Sequence, residues 1–233
     1  MDVLKSTDPS DANIGLENID PLDIDMLLEK LERSFYIKFD NTELKQVITF
    51  GDLCDLVANK VEGCNTNDCT TQQAFYKIRK AIVETRQYDK EALKTNTCLE
   101  ELFPYKQRRQ QIKKIESILG FKTRILQMKG WLLLLLVSVF LASSVALFFS
   151  WPIGFGCMIL SVIGFYISNK LGKELNLKTV GQLAEKISRE HYNKVRRNPT
   201  TVNRTEITQK IKELFKEDLE LEDSALTRDA RFS

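Results

Sequence analysis

The chain has 233 residues, with 34 Lys and Arg against 32 Asp and Glu, and its formal net charge of +2 singles out no polyanionic or polycationic partner. A hydrophobic content of 43% with 9% aromatic residues excludes a disordered chain, and the length admits one domain or two small ones. The mean hydropathy of −0.24 averages over two unlike parts: no charged residue lies between Lys129 and Lys170, while the flanks are densely charged.

In chain order, Asp20-Pro21 reads as a helix start, with Asp as the cap and Pro in the first helical position. Leu22, Leu27, Leu28, Leu31 and Phe35 then form a helical stripe. Thr49 caps a second helix that runs to Val61. Ile78, Ala81 and Ile82 mark an amphipathic helix, followed by an acidic loop that ends at the apolar Leu99. Pro104 precedes a basic helix over Tyr105–Leu119, with Ile112, Ile115 and Leu119 as its stripe and Gly120 as its stop.

Trp131 to Phe149 is an uncharged run containing five consecutive leucines, long enough as a helix to span about 28 Å. Ser150-Trp151-Pro152-Ile153-Gly154 reads as a turn, and Phe155–Ser168 as the returning segment. Arg108, Arg109, Lys113, Lys114, Lys122, Arg124 and Lys129 precede this pair, and Lys170, Lys173 and Lys178 follow it. Positive residues stay cytoplasmic. The expectation is therefore a two-pass hairpin in the cytoplasmic (inner) membrane, with both termini cytoplasmic. No ionisable residue lies within the spans, so they read as an anchor and not as an ion pathway.

Beyond the hairpin, Thr179-Val180-Gly181-Gln182-Leu183 repeats the pattern of Thr49-Phe50-Gly51-Asp52-Leu53. A second match sets Ile78, Ala81, Ile82 and Leu99 against Ile211, Leu214, Phe215 and Phe232 without gaps. Two matches at nearly equal spacing point to an internal duplication.

Catalytic chemistry is not indicated. The sequence carries no phosphate-binding loop, dinucleotide fingerprint, nucleophile elbow or paired-histidine metal motif. Its one histidine, His191, has no nucleophile near it in sequence, and the five cysteines lack the paired spacing of a zinc site or a disulfide framework. The basic residues lack the interleaved aromatics of a single-strand nucleic-acid surface. The expectation is a non-enzymatic protein with no metal and no nucleic-acid partner. Residues 1–20 are polar and acidic, without the apolar stretch of a secretory signal.

These pieces together resemble the acyl carrier protein family. Asp20 to Phe35 looks like that family's second helix, which begins D-S-L and ends L-E-x-x-F. Thr49 to Val61 looks like its last helix, and Glu206 to Phe232 is similar to its first helix and the following loop. The family's serine that carries the phosphopantetheine arm is replaced here by Pro21, and the second copy offers Phe103-Pro104-Tyr105. Neither position has a hydroxyl to modify, so no cofactor is expected.

The resemblance implies an all-α fold, made of acyl-carrier-like helical bundles with an inserted two-helix transmembrane hairpin. The implied domains are residues 1–65, completed by the C-terminal amphipathic helix and loop at 200–233; an interrupted second bundle at 70–128 and 175–195; and the hairpin at 129–170. The C-terminal helix is expected to fold back in cis or, by domain swapping, to complete a homodimer. The resemblance also implies that the acidic residues Asp20, Asp23, Asp25, Glu29 and Glu32 face basic patches on cytoplasmic partner proteins. Arg108, Arg109, Lys113, Lys114, Lys122, Arg124 and Lys129 are expected to lie near the bilayer and its anionic headgroups. The functional expectation is a membrane-anchored scaffold in a bacterial cell that presents degenerate carrier bundles to enzymes of lipid or acyl synthesis. The competing expectations are an active carrier modified at another serine and a purely structural membrane protein.

Overall fold

The computed structural model describes residues 16–86 and 88–232. The remaining residues, including the first fifteen of the expected N-terminal domain, lie outside the described set. The protein is mainly helical. Its elements are α1 (Pro21–Phe35), α2 (Asn41–Leu44), α3 (Phe50–Lys60), β1 (Cys64–Asn65), α4 (Thr70–Arg86), α5 (Leu99–Leu102), α6 (Arg108–Leu119), β2 (Leu126–Gln127), α7 (Gly130–Ala146), α8 (Trp151–Leu171), β3 (Glu174–Leu175), α9 (Val180–Glu190), α10 (Tyr192–Val195), β4 (Thr201–Val202) and α11 (Arg204–Leu219). The chain divides into two compact units, one of residues 1–76 and 184–233 and one of residues 77–183.

In the first unit, α1 starts as its sequence dictates. The Asp20 carboxylate accepts from the Leu22 N–H and Pro21 opens the helix, and the far end turns into the left-handed region at Tyr36. Leu27, Leu31 and Phe35 are buried, whereas Leu22, expected in the same stripe, is 65% exposed. It lies in the first turn, beyond the neighbours that cover the rest of the stripe.

The stripe of α11 (Ile207, Ile211, Leu214 and Phe215) is wholly buried, and this helix packs on both α1 and α3. The Phe215 ring meets Phe50 edge-on at 5.2 Å, and Lys30 on α1 pairs with Asp218 on α11 at 2.7 Å. The C-terminal helix therefore packs in cis against the N-terminal ones. The parallel β1–β4 pair joins Cys64 to Thr201 and Asn65 to Val202. Gly63 has φ +142° here, and an added Cβ would stand 2.9 Å from the Thr200 carbonyl oxygen, so only glycine suits this crossing.

Two buried polar groups fix the floor of the first unit. The Ser34 hydroxyl donates to the Arg189 carbonyl at 2.5 Å and accepts from the Tyr192 N–H at 3.1 Å. The Arg196 guanidinium is 1% exposed and donates to the hydroxyls of Thr66, Thr70 and Thr201. These bonds offset the cost of burying its charge.

The start of α3 is tied down twice. The Thr49 hydroxyl accepts from the Asp52 N–H, and the Asp52 carboxylate accepts from the N–H groups of Thr49 and Ile48, forming a capping box. The C-terminal strap then runs alongside. The Phe50 N–H donates to the Ala230 carbonyl at 2.8 Å and the Gly51 N–H to the Arg228 carbonyl at 2.8 Å, while the Phe232 N–H donates to the Ile48 carbonyl at 3.1 Å.

The second unit contains the same set of bonds. The Thr179 hydroxyl accepts from the Gln182 N–H, and the Gln182 side chain accepts from the N–H groups of Thr179 and Lys178. The Val180 N–H donates to Thr97 at 3.0 Å, Gly181 to Thr95 at 2.7 Å, and Leu99 to Lys178 at 2.8 Å. Isolated antiparallel bridges, Thr49 with Arg231 and Cys98 with Thr179, hold corresponding places.

The core of this unit contains Ile78, Ile82, Phe103, Ile112, Ile115 and Leu183, all buried. The basic helix begins later than its sequence suggests. Pro104 to Gln107 form a turn closed by Gln107 N–H to the Pro104 carbonyl, and α6 runs from Arg108 to the left-handed Gly120.

The apolar helices α7 and α8 also differ from expectation at their junction. Trp151 already lies in α8, with Pro152 in its opening turn, so the connection is Leu147–Ser150. The helices pack on each other, with a Cβ at Gly154 falling 2.6 Å from the Leu147 nitrogen. Among the described residues only α8, at 21 residues, is long and apolar enough by itself to cross a membrane; α7 is a shorter apolar helix of 17 residues.

Candidate functional site

Two surfaces gather the charged residues singled out by the sequence. The first is the outer face of α1. Asp25 and Glu29 are exposed, and Asp23 is half-exposed. They flank Leu22, 65% exposed, and Met26, 50% exposed. These apolar residues lie four apart, on one face of the helix. The outward surface is thus a mixed acidic and apolar stripe, a feature that charge alone did not reveal. The nearest cation to Glu29 is Arg33, at a loose 4.0 Å.

Asp20 and Glu32 do different work. Asp20 is spent on capping α1. Glu32 accepts from the Phe39 N–H at 2.8 Å and from Lys38 at 2.7 Å, tying the end of α1 to the next loop. Burial pushes the Glu32 carboxyl pKa up, but the bonds from Lys38 and Phe39 outweigh it and hold the group below its ordinary value. Glu32 therefore positions the end of α1 against the loop that follows.

Pro21 is exposed at the opening of α1. Of the serines near α1, Ser34 is fully buried and bonded on both sides.

The second surface surrounds the base of α7 and α8. The segment before α7 pairs with the segment after α8, Leu126 with Leu175 and Gln127 with Glu174, in an antiparallel ladder. Gly172 presses against it so closely that a Cβ would lie 2.5 Å from the Gln127 carbonyl. This clamp brings Lys129 and Lys173 together on the Tyr105 ring, at 5.3 Å and 5.5 Å from its centroid, while Arg108 reaches the same ring at 5.5 Å. Glu174 stands 3.9 Å from Lys129.

Arg108, expected among the membrane-proximal cations, is not a surface charge. It is 1% exposed and donates to the carbonyls of Phe103 and Lys173 and to Glu100. Lys113, Lys114, Lys122 and Arg124 are exposed and Arg109 is half-buried. Tyr105 and Lys173 were absent from the expected site. The β2–β3 ladder brings the segment of Lys173 to that of Lys129, and Arg108, bonded to the Lys173 carbonyl, lies over the Tyr105 ring.

His191 sits half-buried between α9 and α10. No group of three or more His, Cys, Asp or Glu that could hold a metal ion is found among the described residues.

No protein-family model matches the chain, and no curated protein or solved structure matches it.

Proposed function

We propose that this is a non-enzymatic, membrane-anchored protein with two carrier-like helical bundles, which it presents to cytoplasmic partner proteins. The observation that carries the reading is the matched hydrogen-bond frame. Ile48, Phe50 and Gly51 are bonded by the chain at 228–232, and Lys178, Val180 and Gly181 by the chain at 95–99, through the same backbone atoms. A shared frame at corresponding residues of both units supports a duplicated carrier-like unit, the first copy permuted so that α11 supplies its opening helix.

Anchoring rests on α7 and α8. Their outward faces are apolar, with Leu134 at 71% and Leu160 at 69% exposed. The inward hydroxyls of Ser143 and Ser161 are returned to carbonyls of their own helices, which removes the cost of leaving them unpaired in hydrocarbon. The pairing of the segment before α7 with the segment after α8 supports a reading with both flanks on one side, and the lysines there favour the cytoplasmic side.

With Pro21 at the attachment position the bundles carry no phosphopantetheine, and their role is recruitment. Tethering at the bilayer raises a partner's effective concentration there. The acidic and apolar stripe of α1 is the docking face, suited to a partner that is basic around an apolar pocket, plausibly an enzyme of lipid or acyl synthesis. Reversing Asp23, Asp25 and Glu29 to Lys, all outward on α1, is expected to leave the helical content unchanged and to abolish co-purification of that partner. Full retention of the partner by the triple variant would reject the docking face. An intact mass carrying a phosphopantetheine arm, on protein from its own host, would instead make this a working carrier.

A further inference from the structure

We infer that Tyr105, Lys129 and Lys173 form a binding site for a phosphate group, and that its occupant is the headgroup of an anionic lipid. The inference rests on the membrane reading of α7 and α8 and goes beyond it by naming a ligand and the groups that hold it. Three cations converge on one tyrosine ring, from three separate segments. The ring faces attract them, but like charges brought this close repel one another. The carboxylates that answer them are Glu100, on Arg108 at 3.3 Å, and Glu174, at 3.9 Å from Lys129. Arg108 has its guanidinium committed to carbonyls and Glu100, so it supplies field and rigidity and not a contact.

Lys129 keeps 46% of its side chain exposed, and Tyr105 is 44% exposed. Lys129 and Tyr105 are thus open to solvent beside the half-buried Lys173, on a base pinned by backbone pairing. Their level is set by the chain: Lys129 immediately precedes α7, and Lys173 follows α8 by one residue beyond Gly172. Trp131, 63% exposed, comes two residues after Lys129, and Lys170 lies over Tyr166 at 5.8 Å. Tyrosine, tryptophan and lysine at both helix ends mark the headgroup plane. A lipid phosphate at that height meets the two lysines without either leaving the water. The exposed lysines of α6, by contrast, share no ring and no clamp with them.

The test uses the full chain reconstituted in bilayers of equal phosphatidylcholine and phosphatidylglycerol, with retained lipid counted after extraction into mild detergent. Wild-type protein is expected to retain phosphatidylglycerol over phosphatidylcholine at about ten to one, against one to one in the bulk bilayer. The K129Q/K173Q variant is expected to fall to the bulk ratio, and K113Q/K114Q to match wild type. Helical content by circular dichroism must be equal in all three. Equal retention by K129Q/K173Q and wild type overturns the site, and so does equal loss in both variants, which would reflect diffuse surface charge.

A parallel titration with inorganic phosphate in lipid-free detergent separates the sources. Binding there that needs Lys129 and Lys173, with no phosphatidylglycerol enrichment, overturns the lipid assignment and gives the site to a soluble phosphate. Extraction of the chain from membranes by alkaline carbonate would defeat the anchoring reading instead, and the phosphate titration would still decide the site.

Discussion

Replacing Phe215 by Ala is expected to destabilise the first unit by about 3–5 kcal/mol, the usual cost of deleting a large ring from a packed core. Phe215 is fully buried, with Phe50 of α3 edge-on at 5.2 Å and Phe232 of the C-terminal strap at 6.2 Å. Within residues 16–65, the only helices longer than one turn are α1 and α3, too few to close a core without α11. A small domain has only about 5–15 kcal/mol to lose. The consequence is non-local: amides of α1 and α3 should lose their protection from hydrogen exchange in F215A, together with a lower urea midpoint. Unchanged protection in α1 and α3 would show that the N-terminal helices fold without the C-terminal one.

The second large effect concerns Gly51 and Gly181, the matched glycines of the two frames. An added Cβ would stand 2.8 Å from the Arg228 carbonyl oxygen in one case and 3.0 Å from the Thr95 carbonyl oxygen in the other. Both obstacles are backbone, held by the bonds that define the strap, so they cannot swing aside as a long side chain would. Alanine is the better helix former by up to about 1 kcal/mol. That gain is small at a first-turn position, while overpacking costs about 1–3 kcal/mol. G51A and G181A are therefore both expected to be destabilising, each in its own unit, as read by exchange of α3 and α9 amides. Gly156, whose Cβ would meet nothing within 4 Å, is the control, and G156A should be harmless. A destabilised G51A beside an unaffected G181A would mean that the two frames are not equivalent.

The helical frame was largely legible because its signals are local. Asp20-Pro21 fixes the start of α1, Thr49 and Thr179 cap their helices, Gly120 ends α6, and the stripe Ile207, Ile211, Leu214, Phe215 is what a helix with one buried face must carry. The misplacements arose where a distant contact decides a local outcome. Leu22 fits the α1 stripe by spacing but has no neighbour among the described residues to cover it. Pro152 looks like a turn residue and is instead tolerated in a helix's opening turn.

The candidate surfaces were legible by charge sign and not by geometry. Glu32 and Arg108 carry the expected charges, but one braces the end of α1 and the other is sealed in the second unit. Nothing in the residues around Lys129 announces Lys173, because a two-residue ladder brings their segments together. Ladders this short leave no alternating pattern to read.

Everything proposed for the function depends on α7 and α8 lying in a bilayer, and the chain's own cysteines test this directly. Cys64 and Cys69 are exposed on the first unit, Cys157 is exposed on α8, and Cys54 is buried, its thiol pushed up to about 12 chiefly by burial. In native membranes opened to both faces, a membrane-impermeant maleimide is expected to label Cys64 and Cys69 quickly. Cys54 should stay unlabelled until the protein unfolds, since only the thiolate reacts. Cys157, open to solvent if no lipid surrounds it, should also stay unlabelled until the membrane is dissolved in denaturant. Labelling of Cys157 in intact bilayers at the rate of Cys64 would contradict the anchored reading.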